Sequence, residues 1–263
     1  MVFLIQIGAS TACFYPMETE IALGRLGGLG FPAAEVFFNS FSELRGPLLE
    51  AIRQEQRAYG LRVVSVHPFT SGTEPYFLFS AYERRFRDTL DYYKRYFDAA
   101  NALGAEILVM HGAKIGASVS EELYFDRFGE LVRLGRAHGV TVAQENVVQF
   151  ASESAGFLER MRAALGGDFH MVLDLKQAVR SGLDPLALAR QFAGAIVHVH
   201  VSDHLPGRDC LPPGEGAFDF AALFRLLQSG GYRGSFVIEL YAGNFQEDMQ
   251  LLRAKAFLES RLG

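Results

Sequence analysis

The sequence predicts an α/β protein built as one (β/α)₈ TIM barrel, residues 1–263, and three observations carry that expectation. Short apolar runs alternate with helix-periodic stretches along the whole chain, the pattern of a parallel sheet. Seven of these runs finish near a residue able to bind metal or move a proton: Glu35, His67, His111, Glu145, Asp174, His200 and Glu239. These residues recur about every 34 positions, the length of a βα unit, and the 263-residue chain matches the roughly 250 residues of a barrel.

The first strand is expected at Val2–Ile7, which brings the count to eight and favours a closed barrel over an open sheet. The short apolar start has no basic segment before it, so it reads as a strand and not a signal peptide. The runs ending at Glu35, His67, His111, Glu145, Asp174, His200 and Glu239 supply the other seven strands. Helices are expected over residues 41–59, with Leu44, Leu48, Leu49, Ile52 and Gln56 on one stripe, and over 77–103, closed by Gly104. Further helices are expected over 119–138, 152–165, 184–192, 219–230 and 245–260. Ser120, Asp184 and Asp219 are the N-terminal signals, and Pro185 suits a first helical position. Two longer loops, 67–77 and 202–218, should overhang the C-terminal face of the barrel.

Composition narrows the function. There are 25 basic and 30 acidic residues, a net charge of −5, which argues against nucleic acid as the partner. The basic cluster Arg84, Arg85, Arg87, Lys94 and Arg95 reads as a solvated helix face. Cys13 and Cys210 form no metal-binding or disulfide pattern, and no apolar run is long enough for a membrane span, so a cytoplasmic protein is expected. No GxGxxG follows a strand, which leaves a dinucleotide site unsupported. A homo-oligomer is compatible with such a barrel, although no interface stripe stands out.

In a (β/α)₈ barrel the C-terminal ends of the strands form the active-site face. Glu145, Asp174, His200 and Glu239 would end strands 5 to 8, neighbours around the barrel. Three carboxylates and one imidazole on adjacent strand ends suit a divalent metal: Mn²⁺, Zn²⁺, Co²⁺ or Mg²⁺. Any one of them alone would serve equally well as a loop or helix cap; without a cation, three clustered carboxylates would repel one another. His67 and His111 extend the ring as ligands of a second metal or as substrate contacts. His198, two residues before His200, points the same way one layer deeper and reads as a hydrogen-bonded core residue. Glu35, Asn146, Gln177 and Arg208 are the substrate-binding candidates.

The motifs Ser-Val-His67, Val-Met-His111-Gly, Glu145-Asn146, Leu-Asp174, His198-Val-His200-Val-Ser-Asp203, Pro213-Gly214-Glu215-Gly216 and Ile-Glu239-Leu resemble the xylose isomerase-like TIM-barrel superfamily across essentially the whole chain. That group includes sugar isomerases and epimerases, inosose dehydratases and AP endonucleases of family 2. The resemblance implies that Glu145, Asp174, His200 and Glu239 hold a metal and that Glu145 and Glu239 are a catalytic acid–base pair. It further implies a small-molecule sugar or sugar-phosphate substrate, with an inosose-dehydratase-like lyase or a zinc-dependent endonuclease IV type phosphodiesterase as alternatives. His67 and His111 match zinc ligands of the nuclease branch, but that branch has His three residues after the strand-6 Asp, where this chain has Gln177. The expected function is a metal-dependent isomerase or epimerase that removes a proton beside a carbonyl.

Overall fold

The computed structural model describes residues 5–117 and 119–262. Eight parallel strands close into a barrel: β1 (Ile7–Ser10), β2 (Ala33–Phe38), β3 (Arg62–Pro68), β4 (Ile107–Met110), β5 (Thr141–Glu145), β6 (Met171–Asp174), β7 (Ile196–Val201) and β10 (Phe236–Ile238). The ring closes where β1 pairs with both β2 and β10. Of the first strand expected at Val2–Ile7, positions 2–4 lie outside the described residues; the strand observed runs three residues further along the chain.

Helices α1 (Thr19–Gly28), α2 (Gly46–Tyr59), α3 (Glu74–Phe77), α4 (Glu83–Leu103), α5 (Glu121–Ala137), α6 (Ala155–Leu165), α7 (Leu175–Arg180), α8 (Pro185–Phe192), α9 (Phe220–Ser229) and α10 (Asp248–Glu259) fill the connections. Ser120, Asp184 and Asp219 cap α5, α8 and α9 through their side chains. The apolar faces of the helices and the outward sides of the strands form one continuous core.

Several boundaries differ from the sequence expectation for local reasons. The stretch 41–59 is two elements, a 3₁₀ turn at Phe41–Leu44 and then α2, because Gly46 sits at φ +62° and Pro47 opens the second helix. Leu44 and Ile52 are buried, but Leu48 of the expected stripe is exposed. The long helix begins at Glu83 and not at 77. Leu78 and Phe79 turn inward ahead of it, and Phe79 stacks on Tyr124 with ring centres 4.1 Å apart.

Helix α1 was not evident from the sequence because its glycines disguise it. A Cβ at Gly27 would lie 2.3 Å from the Tyr59 ring, so close packing of α1 on α2 demands glycine there. The loop 202–218 contains an antiparallel hairpin, β8 (Asp203–Leu205) with β9 (Arg208–Leu211), turning at Pro206 and Gly207. Cys13 and Cys210 are free and buried. No described helix is long and apolar enough to cross a membrane.

Candidate active site

Four strands that are consecutive around the barrel, β5, β6, β7 and β10, deliver Glu145, Asp174, His200 and Glu239 to one point. Glu145 and Asp174 are the last residues of their strands, His200 lies level with Asp174 in the sheet register, and Glu239 follows β10 directly. His200 Nδ1 lies 3.4 Å from Glu145 Oε1, 3.6 Å from Asp174 Oδ2 and 3.6 Å from Glu239 Oε2. One candidate ligand atom from each residue lies within 4.8 Å of the others, and all four residues are buried.

Asp174 is held rigidly. Its Oδ1 accepts the Gln177 N–H and caps α7, while the Asn146 side-chain amide bonds both the N–H and the carbonyl of Asp174 at 2.8 and 2.9 Å. Its Oδ2 is buried and makes no hydrogen bond among the described residues; the Lys176 ammonium lies 3.3 Å from it. A buried carboxylate oxygen that makes no hydrogen bond, held near one ammonium and facing a His and two glutamates, is what a cation-binding set requires, so the residues present fit a divalent metal.

Glu35 is the third residue of β2 and lies inside the barrel beneath this cluster. Its Oε2 contacts His200 Nε2 at 3.0 Å, His198 Nε2 at 3.2 Å and accepts from Ser65 Oγ at 2.7 Å. A carboxylate on Nε2 orients the His200 ring and turns Nδ1 toward the three acids. His198 is the buried, hydrogen-bonded residue the sequence suggests.

His67 and His111 approach Glu145 from the other side, with Nε2 atoms 3.7 and 2.9 Å from its Oε2. His67 Nδ1 lies 3.0 Å from the Pro68 carbonyl. A carbonyl can only accept, so Nδ1 carries a proton and Nε2 is the ring atom that faces the site.

The electrostatics are strongly coupled. Burial pushes the Glu145 and Glu35 carboxyls up, but the His111 contact on Glu145 and the His200 and His198 contacts on Glu35 prevail, and both sit well below the usual range. Burial opposes protonation of His200, yet Glu35 and Glu239 beside it raise its pKa well above the ordinary value. For Glu239 burial is again outweighed, by Lys176 and then His200, and its pKa falls to about 2. Asp174 is raised, chiefly by burial.

A cavity of about 510 Å³ opens over this cluster. Glu145, Glu239, His67, His111 and Gln177 face it, between aromatic walls that include Phe37, Phe69, Phe150 and Tyr241. Glu35 and Asn146 are not among its lining residues; each instead fixes a member of the cluster. Gln177 Oε1 accepts the Val148 N–H at 3.3 Å. Arg208 is exposed at the hairpin and is not gathered into the cluster.

Lys176 escaped the sequence reading, and Asp203 entered it only as a motif residue without a role. Lys176, two positions after Asp174, is buried with Nζ 2.7 Å from Glu239 Oε2 and 3.3 Å from Asp174 Oδ2. The signal was a lysine in the first turn of a helix capped by a candidate ligand. Asp203 accepts backbone N–H groups from His204, Gly214, Gly216 and Phe218 and so folds the loop after β7.

A closed parallel barrel with acids and histidines converging at its C-terminal mouth defines an enzyme-like (β/α)₈ scaffold. The family model described as xylose isomerase-like TIM barrel matches residues 25–260, and the chain belongs to that family. An uncharacterised protein of Mycobacterium tuberculosis is 29% identical over 260 residues, covering 90% of this chain and 89% of that protein. An inosose dehydratase of Erwinia tasmaniensis is 24% identical over 187 residues, covering 57% of this chain and 63% of that protein. Among solved structures, a D-tagatose 3-epimerase-like protein superimposes with a TM-score of 0.80 at 19% identity, covering 98% of this chain and 97% of that one.

Proposed function

We propose that residues 1–263 form one catalytic domain, a divalent-metal-dependent isomerase or epimerase acting on a small sugar or sugar phosphate. The observation that carries this reading is that Glu145 and Glu239, from the strands flanking β6 and β7, both reach His200 Nδ1, at 3.4 and 3.6 Å, and both face the cavity. The proteins it resembles include sugar epimerases, which supports the substrate class.

A divalent ion held by Glu145, Asp174, His200 and Glu239 would polarise a substrate carbonyl and acidify the adjoining C–H. The chain's own groups do the rest. In the metal-free chain contacts with His111 and with Lys176 keep Glu145 and Glu239 ionised, and a bound cation would hold them so. One glutamate removes the proton; it returns that proton to the neighbouring carbon, giving an isomer, or the other glutamate, first protonated from solvent, delivers its own to the opposite face, giving an epimer, while the first releases its proton to solvent. Glu35 and Asn146 keep His200 and Asp174 in place, and the aromatic walls exclude water from the exchanging carbon.

The test is turnover of a ketose and sugar-phosphate panel by metal-loaded protein, alongside Glu145→Gln and Glu239→Gln. Each substitution should lower kcat by roughly 10²–10⁴-fold. Full metal-dependent activity in both variants would refute the acid–base assignment. The inosose dehydratase relative supports one other reading, a lyase that shares the proton abstraction and then expels water; a dehydrated product from the same panel would select it. The nuclease reading is weaker, because Gln177 stands at the third histidine position and is engaged with the Val148 N–H.

A further inference from the structure

Lys176 occupies a position that the metal reading leaves unexplained. It lies in the first turn of α7, immediately after the helix cap at Asp174, which turns its side chain back over the strand ends. The ammonium is buried against Glu239 Oε2 at 2.7 Å and Asp174 Oδ2 at 3.3 Å, two of the four candidate metal ligands. In the metal-free chain this explains how three carboxylates stay packed together, since one internal positive charge offsets part of their repulsion. A divalent ion, however, binds carboxylate oxygens at about 2.0–2.2 Å and needs the same lone pairs. An ammonium and a doubly charged ion within one cluster less than 4.8 Å across repel strongly at low dielectric. Lys176 has somewhere to go: its side chain lines the cavity of about 510 Å³, and the Tyr241 ring centre lies 4.7 Å from Nζ.

We propose that Lys176 is a built-in cation that competes with the divalent metal for Glu239 and Asp174, so that loading requires this side chain to swing out along the Tyr241 ring into the cavity. The inference rests on the metal-dependent reading of the same cluster. It makes Lys176 a positioning residue that sets metal affinity.

Mn²⁺ affinity, measured by equilibrium dialysis on wild type, Lys176→Met and Lys176→Arg, tests it without reference to turnover. Lys176→Met should bind Mn²⁺ at least about tenfold more tightly than wild type, and Lys176→Arg no more tightly than wild type. Reductive methylation of the wild-type protein, read by peptide mass spectrometry, gives a measurement that needs no variant to fold. Lys176 should be protected in chelated protein and modified several-fold faster once Mn²⁺ is bound. Equal or weaker binding by Lys176→Met, or Lys176 labelling that is unchanged or slower with Mn²⁺, would overturn the proposal while leaving the metal site standing. Absence of Mn²⁺ binding in both wild type and Lys176→Met would overturn it together with the metal-dependent function.

Discussion

Replacing Asp203 should loosen the loop that frames the cluster, and the structure sets the size of the effect. The buried carboxylate accepts four backbone N–H groups: Oδ1 from His204 at 2.8 Å and Phe218 at 3.0 Å, Oδ2 from Gly214 at 2.9 Å and Gly216 at 3.0 Å. A hydrogen bond to a charged acceptor is worth about 1.5–3 kcal/mol net, so the four bonds set a ceiling of about 12 kcal/mol. The donors are only partly buried and water replaces some of those bonds, which brings Asp203→Ala to about 3 kcal/mol. For a chain of this size that corresponds to a melting-temperature drop of roughly 6–12 °C if unfolding is global. Asp203→Asn keeps the shape and one acceptor oxygen but turns an NH₂ toward two N–H donors, so it should cost about 2 kcal/mol. Urea unfolding, with amide exchange at Gly214 and Gly216, measures both the global and the local effect. A stability within about 0.5 kcal/mol of wild type, with unchanged exchange at both glycines, would refute the anchoring role.

Other perturbations test separate parts of the account. Asn146→Ala removes both side-chain bonds to the Asp174 backbone and should weaken metal binding about 10–100-fold by equilibrium dialysis, with an unchanged affinity counting against it. Gly135→Ala would put a Cβ 2.7 Å from Val142 Cγ2 and 2.8 Å from the Val140 carbonyl, and should destabilise by about 1–3 kcal/mol in thermal unfolding. Metal-free protein should be most stable between about pH 4.5 and 6.5. The depressed carboxyls of Glu239, Glu145 and Glu35 contribute stability that is lost as pH falls below about 4.5, for Glu239 down to about 2. The raised His200 and His111 contribute stability that is complete below about 6.5 and lost as pH rises through their folded values; the depressed His198 opposes this on the acidic side. A chelated protein that melts higher at pH 8.5 than at pH 6 would contradict that balance.

Much of the barrel was legible because strand ends and helix caps carry local signals. Asp184, Asp219 and Ser120 cap helices where the sequence places them, and the apolar runs before Glu145, Asp174 and His200 are strands. What escaped depends on tertiary contact. Gly27 weakens the local helix signal of α1 because it must admit Tyr59, and the inward turn of Phe79 toward Tyr124 cuts short the long amphipathic helix. The cluster itself was legible as a set of strand ends, since neighbouring strands must bring their termini together. The support beneath it was not: Glu35 reaches His200 across the barrel from β2, and Lys176 finds Glu239 across 63 residues of chain. Neither pairing leaves a periodicity or a spacing in the sequence.

The central claim is that Glu145, Asp174, His200 and Glu239 form one divalent-metal site. Stoichiometry at saturation, by equilibrium dialysis against Mn²⁺ and separately Zn²⁺ followed by elemental analysis, tests it most directly. The account predicts about one ion per chain and loss of that ion in Asp174→Ala. No ion at saturation, or an undiminished ion in Asp174→Ala, would contradict it; a second ion would assign His67, His111 and Glu145 as a further ligand set.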